Sequence, residues 1–347
     1  MPDSLGFLDA VRGLPEQLDA AHEAAAELDL SPLPPADTID NIVMLGMGGS
    51  GVAGDVVRAV CSSVPVPIVV LRQYRTPAYV GPRTLAFALS YSGDTEETLS
   101  MADDALAAGA HLVAVTAGGA LDALAAEHGA ARFSCPTGLL PRAAIGALLA
   151  PLLVTLFRLG LLPEAHALLV KAQEQLKRRR DRCRPEVEGP SNPARELARK
   201  IGRTIPLVWG GGALGEVAAT RWKTEIHENA KAPAFASAYP ELNHNEVCAW
   251  GQHGDVTRQI LTLVQLRHGF EHPRLSARMA ITRDMVEEAF VQVLELEAEG
   301  ESRLGQVLDL MYLGTWTSCY LALDNDVDPG PIDAITHLKE ALAAEAL

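Results

Sequence analysis

A regular alternation of short apolar runs with longer amphipathic runs constrains the fold of this chain more than any other feature. In the first half, the apolar runs lie at 41–46, 67–71, 84–90 and 111–116, and helical patterns lie near 52–61 and 95–108. Runs that are apolar at every position indicate strands whose two faces are both covered by helices, as in parallel sheets. The sequence therefore predicts a doubly wound α/β sheet.

The same alternation starts again in the second half, after a helical region and a proline-rich stretch. The helical region covers 143–177 with a break near 160–163, and the prolines lie in 185–193. Beyond them come predicted strands at 206–209, 259–265 and 290–296, a glycine turn at 210–212, and predicted helices at 214–231, 282–288 and 303–325. We expect two α/β halves: an N-terminal domain at 1–160, a helical connector at 161–192 and a C-terminal domain at 193–347.

Composition excludes several classes of protein. The 347 residues suffice for two cores, and a formal net charge of −15 disfavours non-specific binding of nucleic acid. No apolar run approaches the ~20 residues of a membrane helix and the N-terminus has no signal-like pattern, so we expect a cytoplasmic protein without a membrane partner. The five cysteines are scattered without a Cys-x-x-Cys pair, which argues against a disulfide framework and a thiolate zinc site.

A turn rich in hydroxyl groups follows the predicted strand 84–90. The sequence of 89–99 is LSYSGDTEETL, and its hydroxyls before the next predicted helix belong to Ser90, Ser92 and Thr95. The unpaired N–H groups at a helix N-terminus favour an anion, and hydroxyls add further donors. Asp94 and Glu97 also stand three residues apart, as in a capping box that satisfies the helix without a ligand. The turn alone leaves both interpretations open.

A second turn suited to a ligand follows the first predicted strand. Residues 46–55 read GMGGSGVAGD, and glycines let a backbone approach a ligand closely. The spacing is not that of a clean G-x-G-x-x-G, and the strand 67–71 leads into Arg72 instead of the acidic residue that a NAD site uses for ribose. We therefore expect Gly48, Gly49 and Ser50 to contribute to a phosphosugar site, with no nucleotide cofactor.

Two further segments carry groups that are able to move protons. Glu228 ends a predicted helical face and His244 lies in a polar turn, so a carboxylate and an imidazole can converge on one substrate. Either residue alone is more often a solvated acid or a capping histidine. A zinc site is disfavoured, because no established zinc motif has the spacing of the candidate ligands His227, His244, Glu246 and Cys248. We therefore expect no metal.

Several segments, in order along nearly the whole chain, resemble the bifunctional phosphoglucose/phosphomannose isomerase family of sugar-isomerase (SIS) domain proteins. They are 46–55, 90–99, 141–142, 221–231, 240–246 and 335–339. The resemblance implies two SIS-type, flavodoxin-like parallel-sheet halves with flanking helices. It also implies an aldose-ketose isomerase that interconverts glucose 6-phosphate or mannose 6-phosphate with fructose 6-phosphate through a cis-enediol.

The resemblance further implies a role for the residue at each matching position. Glu228 is the implied base that moves the proton between C2 and C1. His244 and Lys339 are the implied groups that help to open the sugar ring, and Arg142 is the implied cation that stabilises the enediolate. The implied ligands of the sugar phosphate are the hydroxyls of Ser50, Ser90, Ser92 and Thr95. A homodimer with shared active sites is implied as well, because such enzymes offer the histidine to the partner's site.

The chemistry of aldose-ketose isomerisation needs the same set of groups. An acid opens the ring, a base shuttles a proton between adjacent carbons and a cation stabilises the enediolate oxygen, without a redox cofactor or a metal. The chain departs from the family at Asp94 and His227, where asparagine is common, and Asp94 adds negative charge beside the phosphate site. A non-catalytic SIS protein that binds a phosphosugar for regulation is therefore the alternative. A DNA-binding regulator ranks last, because we find no separate helix-turn-helix region.

Overall fold

The computed structural model describes residues 3–345. These residues form two compact units that do not follow chain order. The N-terminal unit consists of Gly13–Arg178 with Glu299–Asp309, and the C-terminal unit consists of the described residues up to Arg12, Arg179–Ala298 and the described residues from Leu310 onward. The division of the chain into an N-terminal domain at 1–160, a helical connector at 161–192 and a C-terminal domain at 193–347 stays a prediction.

Each unit is built on one parallel sheet. In the N-terminal unit the strands are β1 (Asn41–Gly46), β2 (Ile68–Leu71), β3 (Thr84–Leu89), β4 (His111–Thr116) and β5 (Ala131–Ser134), in the order β2-β1-β3-β4-β5. In the C-terminal unit they are β6 (Ile205–Gly211), β7 (Phe235–Tyr239), β8 (Leu261–Arg267) and β9 (Gln292–Glu297), in the order β7-β6-β8-β9. Every described strand pair is parallel, which confirms the predicted doubly wound α/β fold.

Helices separate the strands, as the alternating pattern predicted. In chain order the described α-helices are α1 (Phe7–Arg12), α2 (Leu14–Ala25), α3 (Gly48–Val60), α4 (Glu96–Ala107), α5 (Gly119–Glu127), α6 (Ile145–Arg158), α7 (Ala165–Cys183), α8 (Pro193–Ile201), α9 (Gly212–Glu225), α10 (Gly254–Ile260), α11 (Pro273–Val286), α12 (Arg303–Asp324) and α13 (Asp333–Ala344). The break expected near 160–163 lies between α6 and α7. The long helix expected at 303–325 is α12.

The core of the N-terminal unit lies around its central strands. All six residues of β3 are buried, as are five of the six in β1, because helices cover both faces of the sheet. Strand β5 was not predicted. It has only four residues, and Arg132 and Ser134 within it are exposed, so the run is not continuously apolar.

Helix α3 begins at Gly48, whereas the sequence predicted a start near 52. The glycine-rich run is therefore the first turn of a helix and not a separate loop. Gly48 adopts a φ of 48°, and a Cβ at Gly51 would lie only 2.5 Å from the carbonyl oxygen of Gly46. The positive φ favours glycine at Gly48, and the close approach of helix and strand end requires glycine at Gly51. This close approach puts Ser50 beside the end of β1.

The C-terminal unit departs from the predicted pattern at several places. Gly210 and Gly211 belong to β6 and not to a turn. Residues 259–260, which were expected in a strand, end α10, and the helix expected at 282–288 is α11, which begins at Pro273 and ends at Val286. Strand β7 was not predicted, because its sequence FASAY has small residues between its aromatic ends and resembles a loop.

Candidate active site

The glycine turn and the hydroxyl turn meet where the strand order of the N-terminal unit reverses. Strands β1 and β3 are neighbours, with Gly46 paired to Leu89, and their helices α3 and α4 follow directly. In open parallel sheets, ligands bind beyond the carboxyl ends of the strands at this reversal. The structure thus brings together the candidate phosphate ligands Gly48, Gly49, Ser50, Ser90, Ser92 and Thr95, which we call the hydroxyl cradle.

Hydrogen bonds fix the hydroxyl cradle internally. Ser50 Oγ accepts the N–H of Tyr91 at 3.3 Å, which ties the first turn of α3 to the end of β3. Ser90 Oγ and Thr95 Oγ1 share a hydrogen bond of 2.9 Å, and Ser90 Oγ also accepts the N–H of Gly93 at 3.1 Å. Ser92 is exposed. Hydroxyl protons rotate freely, so these groups are able to turn toward an oxyanion without a change of backbone.

The capping box, which the sequence left open as an alternative for α4, does not form. The N-cap of α4 is Thr95, its side chain makes no capping hydrogen bond, and within residues 3–345 no side chain accepts a hydrogen bond from the first turn of this helix. Asp94 Oδ1 instead accepts the N–H of Ala120 at 2.9 Å, because α5 begins beside the hydroxyl turn. The first N–H groups of α4 therefore have no side-chain acceptor, which leaves the helix N-terminus suited to an anion.

Tyr91 holds the segment that leads to Arg142. Its hydroxyl donates to the carbonyl oxygen of Pro136 at 2.7 Å and accepts the N–H of Leu139 at 2.8 Å. Burial raises the pKa of Tyr91, so this donor stays protonated. Arg142 follows in the short turn Pro141–Ala143, which packs against α3, and its side chain is buried. The predicted enediolate cation thus lies in the same unit as the hydroxyl cradle.

Arg72 is a further cation near the hydroxyl cradle. The sequence analysis did not assign it to a site. It forms an ion pair with Asp55 of α3, and its Nε would lie 3.2 Å from a Cβ built on Gly51. Arg72 therefore brings positive charge beside the first turn of α3. The signal was present, because the residue directly follows the strand next to β1 in the predicted sheet.

The candidate base lies in a different unit, on a turn of π-helix. Helix α9 continues into the π-turn Ile226–Ala230, and Glu228 within it is partly exposed. Glu228 lines a cavity of about 480 Å³ together with His227, Lys231 and residues of the segment 327–335. Among the described residues, none forms a hydrogen bond with the Glu228 carboxylate. π-Turns occur often at functional sites, since they aim a side chain that a regular helix would bury.

A buried polar network fixes the inner side of this π-turn. Arg221 and Glu225 form an ion pair one helical turn apart, with only 4% and 1% of their side chains exposed. The Asn229 amide donates to Glu225 Oε2 at 2.6 Å and to Ser318 Oγ of α12 at 2.9 Å. Sequence analysis missed this network, although the i, i+4 spacing of Arg221, Glu225 and Asn229 was visible.

The outer side of the π-turn is held as well. Lys231 adopts the left-handed conformation with a φ of 51°, and its Nζ donates to the carbonyl oxygen of Asp328 at 2.7 Å. A ring nitrogen of His227, Nε2, lies 2.9 Å from the carbonyl oxygen of Ala234. The backbone on both sides of Glu228 is thus held, and Glu228 lines the cavity.

The other predicted catalytic residues of the C-terminal unit lie elsewhere on it. His244 ends the short turn Glu241–His244 and is exposed, and Lys339 is exposed on α13. Neither lines the cavity of Glu228, and no hydrogen bond joins any two of these three side chains in the described part of the chain. Over residues 3–345 no group of three or more His, Cys, Asp or Glu side chains is arranged to hold a metal ion.

Comparison with known proteins gives the class. Residues 190–342 match the model of the bacterial phospho-glucose isomerase C-terminal SIS domain. The bifunctional phosphoglucose/phosphomannose isomerase of Caldicellulosiruptor bescii is 37% identical over 97% of this chain and 99% of its own. The enzyme of that name from Aquifex aeolicus is 32% identical over 88% and 91% of the two chains.

Solved structures agree on the fold. The C-terminal domain of glucosamine-fructose-6-phosphate aminotransferase from Francisella tularensis superimposes with a TM-score of 0.71 at 16% identity, covering 93% of this chain and 97% of that one. Fold and family model together define an SIS-domain protein. The chain belongs to the bifunctional phosphoglucose/phosphomannose isomerase family, which confirms the resemblance found in the sequence. None of the helices in residues 3–345 has the length and apolar character needed to cross a membrane.

Proposed function

We propose that this protein is an aldose-ketose isomerase that interconverts glucose 6-phosphate and mannose 6-phosphate with fructose 6-phosphate through a cis-enediol. One observation carries the proposal. Glu228 lies on a π-turn that is held on both sides, it lines a cavity, and no described residue hydrogen-bonds its carboxylate. A carboxylate presented in this way is free to accept a proton from a substrate carbon. Membership of the family supplies the class of substrate.

The reaction is a proton transfer between adjacent carbons. Glu228 takes the proton from C2 of the open-chain aldose, the released electron pair forms the C1–C2 double bond, and the carbonyl oxygen on C1 becomes the enediolate oxygen. The hydroxyl proton on O2 then passes to O1, the C2 carbonyl forms, and Glu228 returns its proton to C1, which gives the ketose. No electrons enter or leave the sugar, so the proposal includes no redox cofactor. It includes no metal either, because a side-chain cation would take the place of a Lewis acid. Arg142 would stabilise the charge on the enediolate, because the attraction between a fixed cation and the enediolate oxygen grows as negative charge develops there.

The hydroxyl cradle would hold the phosphate group of the substrate. Its hydroxyls and the N-terminal N–H groups of α4 are donors suited to an oxyanion. Binding energy from the phosphate end helps the reacting carbons to reach the base, so loss of a cradle donor should weaken binding and slow turnover. His244 and Lys339 would assist the opening of the sugar ring.

We further propose a cytoplasmic homodimer in which one chain supplies His244 to the site of its partner. His244 is exposed and does not line the cavity of Glu228 in its own chain, which supports a role toward a second copy. Co-expression of Glu228→Gln and His244→Ala chains tests this. Half of the dimers are then mixed, and one of the two sites in each has both residues intact, so about a quarter of the wild-type activity should return. No return of activity would contradict shared sites.

A coupled assay tests the function directly. Purified protein with fructose 6-phosphate should form glucose 6-phosphate, and mannose 6-phosphate should yield the same ketose, with or without a chelator. A protein that binds the phosphosugars without turning them over would instead be a non-catalytic SIS protein. The assay therefore separates the proposed enzyme from the alternative, since binding is measured in parallel by protection against thermal unfolding.

A further inference from the structure

The C-terminal unit repeats the backbone frame of the hydroxyl cradle. In the N-terminal unit, β1 leads through Gly48, with a φ of 48°, into α3; in the C-terminal unit, β6 leads through Gly212, with a φ of 60°, into α9. The close contact between strand end and helix also recurs, because a Cβ at Gly210 would lie 1.9 Å from the carbonyl oxygen of Gly215. Three glycines therefore correspond between the units: Gly210 matches Gly46, Gly212 matches Gly48 and Gly215 matches Gly51.

The neighbouring strand and the helix after it also recur in the same register. Gly46 pairs with Leu89 across β1 and β3, and Gly210 pairs with Leu266 across β6 and β8. In both units the N-cap of the next helix lies six residues further on, at Thr95 for α4 and at His272 for α11. The C-terminal unit therefore has its own crevice beyond neighbouring strand ends, which is where doubly wound sheets bind ligands.

Different side chains fill the second crevice. Leu214 stands where the cradle has Ser50, and it is buried. The backbone N–H that donates to Ser50 Oγ in the first unit belongs to Tyr91, and its counterpart in the second unit belongs to His268. His268 N donates to Glu271 Oε1 at 2.9 Å. A carboxylate oxygen of the chain itself thus takes the place of the serine hydroxyl at the matching donor.

The Glu271 carboxylate is bound as an oxyanion ligand would be. Arg267 donates through Nη2 to Glu271 Oε2 at 2.8 Å and through Nε to Oε1 at 3.0 Å, and Ser276 Oγ donates to Oε2 at 2.8 Å. Only 3% of the Glu271 side chain is exposed. Burial by itself would raise the pKa of Glu271, but the hydrogen bonds from Arg267, His268 and Ser276 outweigh it and hold the pKa below its ordinary value. The group is therefore ionised at neutral pH.

The ring of His268 closes the crevice from the other side. Its Nε2 lies 2.8 Å from the carbonyl oxygen of Gly211, which belongs to the end of β6. The side chain of Met279 lies against the same glycine, since a Cβ at Gly211 would be 2.6 Å from Sδ. Side chains that follow β8 thus bridge to the end of β6.

We propose that the C-terminal unit contains an oxyanion site of the same design as the hydroxyl cradle, permanently occupied by the carboxylate of Glu271. The natural chain then binds the phosphate group of one sugar, in the hydroxyl cradle only. A small oxyanion such as inorganic phosphate or sulfate enters the second site when the Glu271 side chain is removed. The comparison between the units rests on the proposed function of the cradle, whereas the contacts of Glu271 do not.

Thermal unfolding of full-length variants in phosphate tests the occupied site. Glu271→Ala should unfold at a lower temperature than the wild type in sodium chloride, and inorganic phosphate at ~100 mM and equal ionic strength should raise its Tm by about 5 °C more than that of the wild type. Glu295→Ala is the matched control. Glu295 also pairs with Arg267, at 3.3 Å, but it lies outside the Glu271 contacts. An equal response of wild type, Glu271→Ala and Glu295→Ala to phosphate would overturn the proposal.

Two further measurements keep the outcome decisive. The extra gain of Glu271→Ala should persist when Ser90→Ala is added, because that substitution disables the hydroxyl cradle only. If Glu271→Ala does not fold, equilibrium dialysis of the wild type with fructose 6-phosphate decides: one molecule bound per chain supports the occupied site, and two contradict it. Failure of the proposed function would appear differently, as no binding of fructose 6-phosphate and no isomerase activity with the phosphate effect intact.

Discussion

Replacement of Asn229 by alanine should separate the positioning of the base from the binding of substrate. The Asn229 amide donates to Glu225 Oε2 at 2.6 Å and to Ser318 Oγ at 2.9 Å, and all three side chains are buried. A hydrogen bond to a charged group contributes about 1.5–3 kcal/mol and a neutral one about 0.5–1.5 kcal/mol, so the free energy of unfolding should fall by about 2–4 kcal/mol. The π-turn would lose its inner anchor while Glu228 itself stays.

The kinetic effect should fall on kcat. A displacement of about 1 Å at a catalytic group costs about 10²-fold in rate, whereas KM for fructose 6-phosphate should change by less than about threefold, since Asn229 is not one of the proposed phosphate ligands. The coupled assay gives both constants. Differential scanning calorimetry gives the loss of stability on the same samples.

Asn192→Ala is the matched control for this prediction. Asn192 is a fully buried asparagine of the same unit, and its Oδ1 accepts the N–H groups of Ala194 and Arg195 at 3.1 Å as the N-cap of α8. Its loss should destabilise the unit by a similar amount and leave kcat unchanged. The positioning argument is refuted if the two variants lower kcat equally, or if Asn229→Ala keeps the wild-type kcat.

Two further predictions concern the N-terminal unit. Ser90→Ala should raise KM for fructose 6-phosphate about tenfold, because a proposed donor to the charged phosphate is lost. Ser100→Ala within α4, where the hydroxyl donates to the carbonyl oxygen of Tyr74, should leave KM unchanged in the same assay. Burial, followed by repulsion from His166, lowers the pKa of His22 below 6.5. The unfolded chain therefore binds this proton more tightly, so the stability of the fold is highest above pH 6.5 and falls as the pH drops below that value. Tm measured from about pH 7.5 to 5.5 should fall more steeply for the wild type than for His22→Gln. Parallel curves of Tm against pH would contradict this prediction.

Much of the sheet was predictable, because a buried parallel strand leaves a continuous apolar run. Strand β1 has the predicted bounds, and β3 and β4 agree within a residue. Strands β5 and β7 were missed, because polar or small residues interrupt their apolar character. Helix starts were less predictable. Helix α3 begins at Gly48 although glycine has a low helix propensity, and the 2.5 Å approach of a Cβ at Gly51 to the carbonyl oxygen of Gly46 explains why glycine recurs in its first turn.

The candidate site was predictable in its residue types and less so in its connections. The hydroxyl turn appeared as either an anion site or a capping box, and only the position of α5 beside Asp94 decides against the capping box. The network of Glu225 and Asn229 depends on Ser318, which is far away in the sequence. Pairings of this kind require the folded structure, because nothing in a local window indicates which distant side chain completes them.

Transfer of hydrogen between solvent and sugar tests the central claim most directly. In heavy water, the wild type should convert fructose 6-phosphate into aldose phosphates that carry deuterium at C2, as detected by proton NMR. Glu228→Gln keeps the size of the side chain and removes its basicity, so it should still bind fructose 6-phosphate while deuterium incorporation falls about 10³-fold. Incorporation by Glu228→Gln within about tenfold of the wild-type rate would contradict the assignment of Glu228 as the base.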